Sequence, residues 1–359
     1  QESYFHGDDQ TIAIVGGGPV GCYLASKLRE NYILMEEHPK IGEPVKCAGL
    51  VSGKLFDAGI SKKSIINRID GALIFLKNDH FRIKRKGIAI VINRKSFDER
   101  LSQGLEISLN EKFLNFKKKD EKFQIKTSKR KFETEKLIGC DGPFSKVRSL
   151  SNLNFKMRFY KAVQYTIKGD FEKNYIQMHL KKPFFTYLIP ENEEVARLGC
   201  ISENPKKELN KFIKERKLCG KILSRLGGVI PIGFGKTVGE NIALIGDAAC
   251  QVKPMTGGGL YFGLKASEIA AKCLNENSLE EYEEKWKKEF GFEIRLGLHL
   301  RRIYERMPEK DIQRAFKILK ENIDLIEKCD FDHHSTVLRE FLWKRDFFKL
   351  VGIGIRNWF

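Results

Sequence analysis

The chain has 359 residues and 42% hydrophobic residues, enough for two or three compact units around a large core and too apolar for a disordered protein. Lys and Arg number 65 against 47 Asp and Glu, a net charge of +18 that attracts polyanions such as anionic lipid headgroups. No run of about 18 apolar residues offers a membrane-spanning helix, and no signal-peptide pattern is visible, so a cytoplasmic location is expected. The eight cysteines (Cys22, Cys47, Cys140, Cys200, Cys219, Cys250, Cys273, Cys329) stand singly. Without a CxxC pair they argue against structural zinc or an iron–sulfur cluster, and they fit a reducing compartment.

Residues 1–10 are set aside from the fold reading. Residues 11–15, "TIAIV", predict a buried parallel strand, and "GGGPVG" follows at once. Residues 19–30 carry helical spacing, with Val20, Leu24 and Leu28 on one face. "YILMEE", 32–37, is a second apolar strand ending on carboxylates, which completes a βαβ unit. Segment 70–93 alternates and predicts two or three antiparallel strands, and 95–105 predicts a short helix. Residues 106–138 read as short strands whose lysine run forms a solvated hairpin. Strands are expected again over 157–201, a strand and turn over 241–249, and a helix over 257–274. From 278 to 349 the pattern is helical and heavily charged, with no internal repeat.

Nucleotide-binding signals therefore lie at 11–55, 94–148 and 240–275, with sheet-type segments between. The interleaving predicts an α/β fold: a Rossmann-like domain, an inserted antiparallel β-sheet domain and a C-terminal helical region. The expected division is 11–69 plus 94–150 plus 240–276 for the nucleotide unit. Residues 70–93 plus 151–239 make the substrate sheet, and 277–359 the helical region.

Gly16-Gly17-Gly18-Pro19-Val20-Gly21 satisfies GxGxxG between a strand and a helix. Gly16 allows the tight turn, Gly18 lets backbone approach a pyrophosphate, and Gly21 lets helix and strand pack closely. Glu36, 15 residues beyond Gly21, can accept both hydroxyls of a ribose, while Glu37 reads as an exposed charge. Two distant segments favour FAD over NAD. "GCDGPFSKVR", Gly139–Arg148, closes a strand on Asp-Gly and supplies Ser145 and Arg148. "IGDAACQVKPMTGGGLYFGLKAS", Ile245–Ser267, sets Asp247 to accept a ribitol hydroxyl. Its run Gly257-Gly258-Gly259 brings backbone amides against a flavin and its pyrophosphate. "NRKSFDERL" adds Arg94 as a pyrophosphate partner, with Arg100 as the alternative.

Together these segments resemble the flavoprotein group that includes p-hydroxybenzoate hydroxylase. "GEPVKCAG", Gly42–Gly49, and "FTYLIP", Phe185–Pro190, resemble the geranylgeranyl reductases, particularly the archaeal enzymes that saturate digeranylgeranylglycerophospholipids. The resemblance covers about residues 11–275. It implies FAD contacts at Gly17, Glu36, Cys47, Ala48, Leu50, Arg94, Phe113, Asp247, Gly259 and Leu260. The family's Tyr-x-Trp-x-Phe-Pro pattern appears here as Phe185-Thr186-Tyr187-Leu188-Ile189-Pro190, and its later Gly-x-Gly as Gly199-Cys200-Ile201. These departures leave the exact substrate open. The implied activity is FAD-dependent saturation of isoprenoid double bonds in a prenylated lipid. Ferredoxin and NAD(P)H both remain open as the electron donor.

An isolated alkene needs a hydride at one carbon and a proton at the other. Reduced flavin supplies the hydride, and the proton comes from a positioned acid or water. Cys47 and Tyr187 are the catalytic candidates. The cysteine can gate the flavin, line a lipid channel or relay a proton; a thiol with an ordinary pKa near about 8.5 is a poor direct acid. Tyr187 is an alternative donor or a channel wall. The bland readings are a small residue packed on the ring system and an aromatic core residue.

The segment Leu338–Phe359 mixes Trp343, Phe347, Phe348, Leu350, Val351, Ile353, Ile355, Trp358 and Phe359 with Arg339, Lys344, Arg345, Lys349 and Arg356. That mixture suits a peripheral membrane anchor or a helix docked on the protein's own core. His333-His334 reads as surface, with no metal site. Nucleic-acid binding has only the charge in its favour, without interleaved aromatics. Two rival functions share the fold: an aromatic monooxygenase and a non-catalytic prenyl-lipid carrier.

Overall fold

A computed structural model describes residues 12–57, 60–218, 220–342 and 344–357. Cys219 and the tail residues Trp343, Trp358 and Phe359 lie outside the described residues, as do the side chains of Arg345 and Phe347. β1 (Ile12–Val15), α1 (Pro19–Ala25) and β2 (Tyr32–Met35) form the βαβ entry. β3 (Leu50–Val51), β4 (Ile65–Leu76), β5 (Asp79–Ile92), α2 (Arg94–Leu101) and β6 (Ile107–Ser108) follow. Then come β7 (Phe113–Lys119), β8 (Lys122–Thr127), β9 (Lys131–Thr134), β10 (Lys136–Gly139) and α3 (Lys146–Leu150). The middle of the chain holds β11 (Met157–Lys168), β12 (Tyr175–Leu180), β13 (Phe185–Pro190), β14 (Val195–Ser202), α4 (Pro205–Glu215) and β15 (Ile222–Gly233). β16 (Val238–Gly239), β17 (Ile242–Leu244) and α5 (Leu260–Asn275) lead into α6 (Tyr282–Trp286), α7 (Phe292–Arg306), α8 (Glu309–Glu321), α9 (Ile323–Ile326), α10 (Ser335–Phe341) and α11 (Arg345–Arg356).

The first sheet runs β16-β17-β10-β1-β2-β6 and is parallel except at the β16–β17 edge. All four residues of β1 are buried, as expected for a parallel strand covered on both faces. Ile12 and Ile14 pack with Leu24, Phe262 and Ala266 of the helical layer. Ala13 and Val15 pack with Phe123, Ile125 and Phe132 of the β7-β8-β9 sheet. The lysine run is therefore the outer skin of a three-stranded layer, with a hairpin turning at Asp120, φ 53°.

The second sheet runs β15-β11-β14-β13-β12-β4-β5-β3. Period-2 alternation along β13 sends Phe185, Tyr187 and Ile189 to one face and Leu188 to the other, where it meets Leu198 and Leu209 beneath α4. Segment 70–93 is the greater part of the single β4–β5 hairpin, which begins at Ile65. The anticipated boundary at 69/70 thus falls inside β4, and Leu50–Val51 also pairs in this sheet. α1 stops at Ala25, five residues short of the expected end, where Ser26 caps the chain and its hydroxyl bonds the Tyr23 carbonyl.

The C-terminal helices pack on themselves and on the second sheet. Phe341 of α10 and Ile353 of α11 are buried with Met307, Ile312 and Ile318. On the opposite side of α11, Phe348 is 70% and Ile355 60% exposed, with Val351 between them. The core-docking reading of the tail describes the inner face of this helix, while its outer face carries an apolar stripe exposed to solvent. No helix among the described residues is long and apolar enough to cross a membrane.

α1 meets β1 through Gly21, where an added Cβ would lie 2.0 Å from the Gly16 carbonyl oxygen. Gly21→Ala is expected to cost about 2–3 kcal/mol of unfolding free energy, because backbone rather than a flexible side chain must give way. Urea unfolding measures it.

Candidate functional site: one cavity joining distant loops

A cavity of about 1370 Å³ opens at the carboxyl ends of β1, β2 and β10, where open α/β sheets bind ligands. It continues over the second sheet to the α9–α10 segment. Of the residues anticipated from sequence, Gly16, Gly17, Gly18, Glu36, Cys47, Ala48, Leu50, Arg94, Phe113, Tyr187, Asp247, Gly258, Gly259 and Leu260 all line it. Gly21 does not; it serves the helix contact described above. Arg94 lines the cavity, whereas Arg100 does not.

At the glycine turn, Gly16 has φ +104° and a Cβ there would stand 2.5 Å from the Cys140 carbonyl oxygen. A Cβ on Gly18 would meet nothing within 4 Å, because that residue faces the open cavity. The Gly17 amide donates to Glu36 Oε2 at 2.7 Å. Glu36 Oε1 accepts from the His38 amide at 3.0 Å and pairs with His38 Nδ1 at 2.5 Å. The carboxylate that sequence assigns to a ribose is thus oriented by the residue two positions on. Glu37 is exposed and pairs with Lys112 at 3.0 Å.

The two distant acidic segments are drawn together by Arg148. Its Nη1 donates to the Ala248 carbonyl and its Nη2 to the Pro143 carbonyl, each at 2.7 Å. Ser145 caps α3 by accepting from the Arg148 amide at 2.9 Å. Asp141 Oδ2 accepts from the amides of Lys146 and Val147, and burial raises its pKa against those bonds. Its Oδ1 is buried without a partner, as is the Thr256 hydroxyl, and both residues line the cavity. Burial pushes the Asp247 carboxyl up to about 6 against the opposing charge of Arg94. A Cβ on Gly259 would sit 3.0 Å from Asp247 Oδ1, so the glycine admits the carboxyl.

Arg197, which sequence reasoning missed, holds the cysteine turn. Buried on β14, it donates from Nη1 to the Ala48 carbonyl at 2.5 Å and the Ile92 carbonyl at 3.0 Å, and from Nε to Glu191 Oε1 at 2.6 Å. Gly49, φ +68°, leaves room for that guanidinium: a Cβ would lie 2.5 Å from Nη1. Among the described residues Cys47 is the one cysteine that is not buried. Burial works against the Arg94 charge, but neighbouring Cys47 and Asp98 outweigh it and hold its pKa above the ordinary value. Arg94 also grips Asp98, with Nη2 to Oδ2 at 2.9 Å.

Tyr187 is buried, and its hydroxyl donates to Gln164 Oε1 at 2.9 Å. Its ring lies over Gly199 of the neighbouring strand, where a Cβ would come within 2.2 Å of Cζ. Burial first, and Cys47 second, push its pKa well above the ordinary phenol value.

The far wall comes from a segment that sequence analysis read only as charged helix. Ile326, Phe331, His334 and Val337 line it. His334 is half-buried in the cavity wall, and burial lowers its pKa to about 4. The wall is pinned by Lys253, whose Nζ meets Asp332 Oδ1 at 3.0 Å and the Phe331 carbonyl at 3.2 Å. The other Asp332 oxygen accepts from the Ser52 hydroxyl. No group of three or more metal-ligating side chains occurs among the described residues.

A glycine cradle, unpartnered buried polar atoms facing the cavity and a carboxyl at a second strand end fit FAD, and with the two-sheet fold they define the class, a flavoprotein oxidoreductase. No family model matches the chain. The chain is 30% identical over 383 residues to an uncharacterised protein of Methanocaldococcus jannaschii, covering 97% of this chain and 98% of that one. It is 24% identical over 368 residues to the digeranylgeranylglycerophospholipid reductase of the same organism, covering 90% and 94%. Its fold matches the crystal structure of a geranylgeranyl bacteriochlorophyll reductase-like protein from Thermoplasma acidophilum, with a TM-score of 0.79 at 20% identity over 96% of this chain and 99% of that one. The chain belongs to the geranylgeranyl reductase family, and its fold is that of the p-hydroxybenzoate hydroxylase-like flavoproteins.

The Asp247 carboxyl binds its proton more tightly in the folded protein than in the unfolded chain. Ligand-free protein therefore loses stability as pH rises from about 4 to about 6. Asp247→Asn is expected to stabilise the ligand-free protein by up to about 2–3 kcal/mol at neutral pH, the gain vanishing toward pH of about 4. Thermal unfolding across that range measures it.

Proposed function

We propose that the protein is an FAD-dependent reductase that saturates isoprenoid C=C bonds of geranylgeranyl, archaeal-type membrane lipids. The observation that carries this reading is a single cavity that runs from a phosphate cradle to an apolar chamber walled by Ile83, Ile176, Met178, Phe185 and Phe331. In this reading the discontinuous nucleotide unit holds FAD, the inserted sheet carries the substrate, and the C-terminal helices close the chamber. Gly16, Gly17 and Gly18 receive the pyrophosphate, Glu36 the ribose and Asp247 the ribitol. Arg94, Phe113, Gly258, Gly259 and Leu260 complete the cofactor's surroundings, and Cys47, Ala48 and Leu50 face the flavin.

FAD, when bound and reduced, supplies the hydride. The chain must orient the alkene, exclude water and manage the proton. Tyr187 keeps its proton on a hydrogen bond to Gln164, so it serves as wall and orienting group. Cys47, half-buried beside Arg94, is the more accessible of the two candidates for gating or relaying a proton. An aromatic monooxygenase would need a small closed pocket, and a carrier would need no cradle. A prenyl lipid also requires delivery from a bilayer. The outer stripe of α11, Phe348, Val351 and Ile355 between Lys344, Lys349 and Arg356, suits an anionic membrane surface.

Dithionite-reduced protein, incubated without oxygen with an unsaturated archaeal-type lipid, is expected to add two hydrogens per double bond by mass spectrometry. Unchanged lipid, with a hydroxylated aromatic formed in air, would assign the protein to the monooxygenases instead. Cys47→Ala should slow saturation about tenfold or more while FAD is retained, and Tyr187→Phe should slow it less. Replacing Phe348, Val351 and Ile355 by Ser should weaken sedimentation with anionic vesicles about tenfold or more. Undiminished sedimentation would remove the membrane role from that stripe.

A further inference from the structure

Arg301 on α7 is 3% exposed, yet it is a guanidinium with no buried carboxylate of its own. Its strongest contacts are to main-chain carbonyls. Nε donates to Pro254 O at 2.5 Å, Nη2 to Met255 O at 3.1 Å and Nη1 to Pro183 O at 2.7 Å. The planar group stacks on the Phe184 ring, 3.4 Å from its centroid, and makes one longer ion pair, from Nη1 to the half-buried Glu305 Oε1 at 3.4 Å. One turn earlier Gly297 brings α7 against the same loop, since a Cβ there would stand 2.8 Å from Pro254 Cδ. A buried charge is thus spent on fixing the orientation of two consecutive peptide planes.

Those planes lie just before the glycine run. In a trans peptide the N–H points opposite the C=O. With the carbonyls of Pro254 and Met255 turned toward α7, the N–H groups of Met255 and Thr256 are turned away from it. Neither donates to any described residue. Thr256 lines the cavity, and its buried hydroxyl has no partner. The turn is locked behind it, with Gly257 N–H on the Lys253 carbonyl and Lys253 N–H on the Gly258 carbonyl.

We propose that Arg301 is a positioning residue for the cofactor: it holds two carbonyls on its own side of the loop and so presents the Thr256 N–H and hydroxyl as donors to the flavin. This rests on the FAD reading above. Donors fixed in a water-poor site favour the form of the ring that carries more negative charge, so the loop stabilises reduced over oxidised flavin. Freed of Arg301, the peptide planes can rotate and offer acceptors where donors stood.

The test compares Arg301→Met, Arg301→Lys, Thr256→Val and Glu305→Gln in the FAD-loaded protein, reading FAD dissociation, the flavin midpoint potential and thermal stability. Arg301→Met is expected to weaken FAD binding at least tenfold. It should also lower the preference for reduced over oxidised FAD about tenfold, which is about 30 mV for a two-electron couple. Arg301→Lys should fall between Met and the parent. Thr256→Val should move the potential in the same direction, and Glu305→Gln should leave FAD affinity and potential unchanged. The proposal is overturned if Arg301→Met lowers only thermal stability, with affinity and potential as in the parent. If Arg301→Met does not fold, unchanged potentials in both Arg301→Lys and Thr256→Val overturn it equally. A parent protein that binds no FAD would instead end the functional reading.

Discussion

The guanidinium of Arg148 makes the cavity a single site. It satisfies the Ala248 and Pro143 carbonyls at once, and in doing so joins two loops a hundred residues apart in sequence. Both loops end strands of the same parallel sheet, β17 and β10, so the sheet brings them near and the arginine sets their spacing. A buried cation with only carbonyl partners tolerates little displacement, because any broken bond leaves charge unsolvated. Gly16 and Gly259 then matter for what they leave out: each vacates space that backbone or a carboxyl must fill. The cradle is therefore a product of close backbone approach fixed by one charged clamp.

The same device recurs around the cavity. Arg197 fixes the cysteine turn through Ala48 and Ile92, and Arg301 fixes the glycine loop through Pro254 and Met255. In each case a buried guanidinium holds main chain rather than a ligand. Its five donors in a rigid plane suit that task, and a lysine in its place offers a point charge without the fork. The three clamps come from α3, β14 and α7, so the site depends on elements that belong to different parts of the chain.

This explains what was legible in the sequence. The glycine turn, Glu36 and Asp247 are local patterns whose chemistry follows from residue type and spacing, and the cysteine turn was placed by its resemblance to the reductases. They converge as anticipated because strand ends of one sheet must lie side by side. Arg148 was singled out with its Asp-Gly segment, whereas Arg197 and Arg301 were invisible, since an isolated arginine in a strand or a charged helix looks like surface. Lys253 and Asp332 meet across 79 positions with no periodic signal between them. His334 was misjudged for the same reason: adjacent histidines in a polar stretch give no hint that one turns inward. The expected boundary falls inside β4 because one hairpin ladder with β5 runs on through the irregularity at Ile69–Gly71.

The far wall of the chamber also has an order in time. Every glycine and carboxyl of the cradle precedes Leu260, whereas Ile326, Phe331 and Val337 leave the ribosome much later. Domains tend to fold as they emerge, amino-terminal parts first. A nascent chain would thus expose a finished cradle beside an apolar trough still lacking its cover. The Lys253–Asp332 pair joins the two, and it can close only once translation has supplied the second half of the seam.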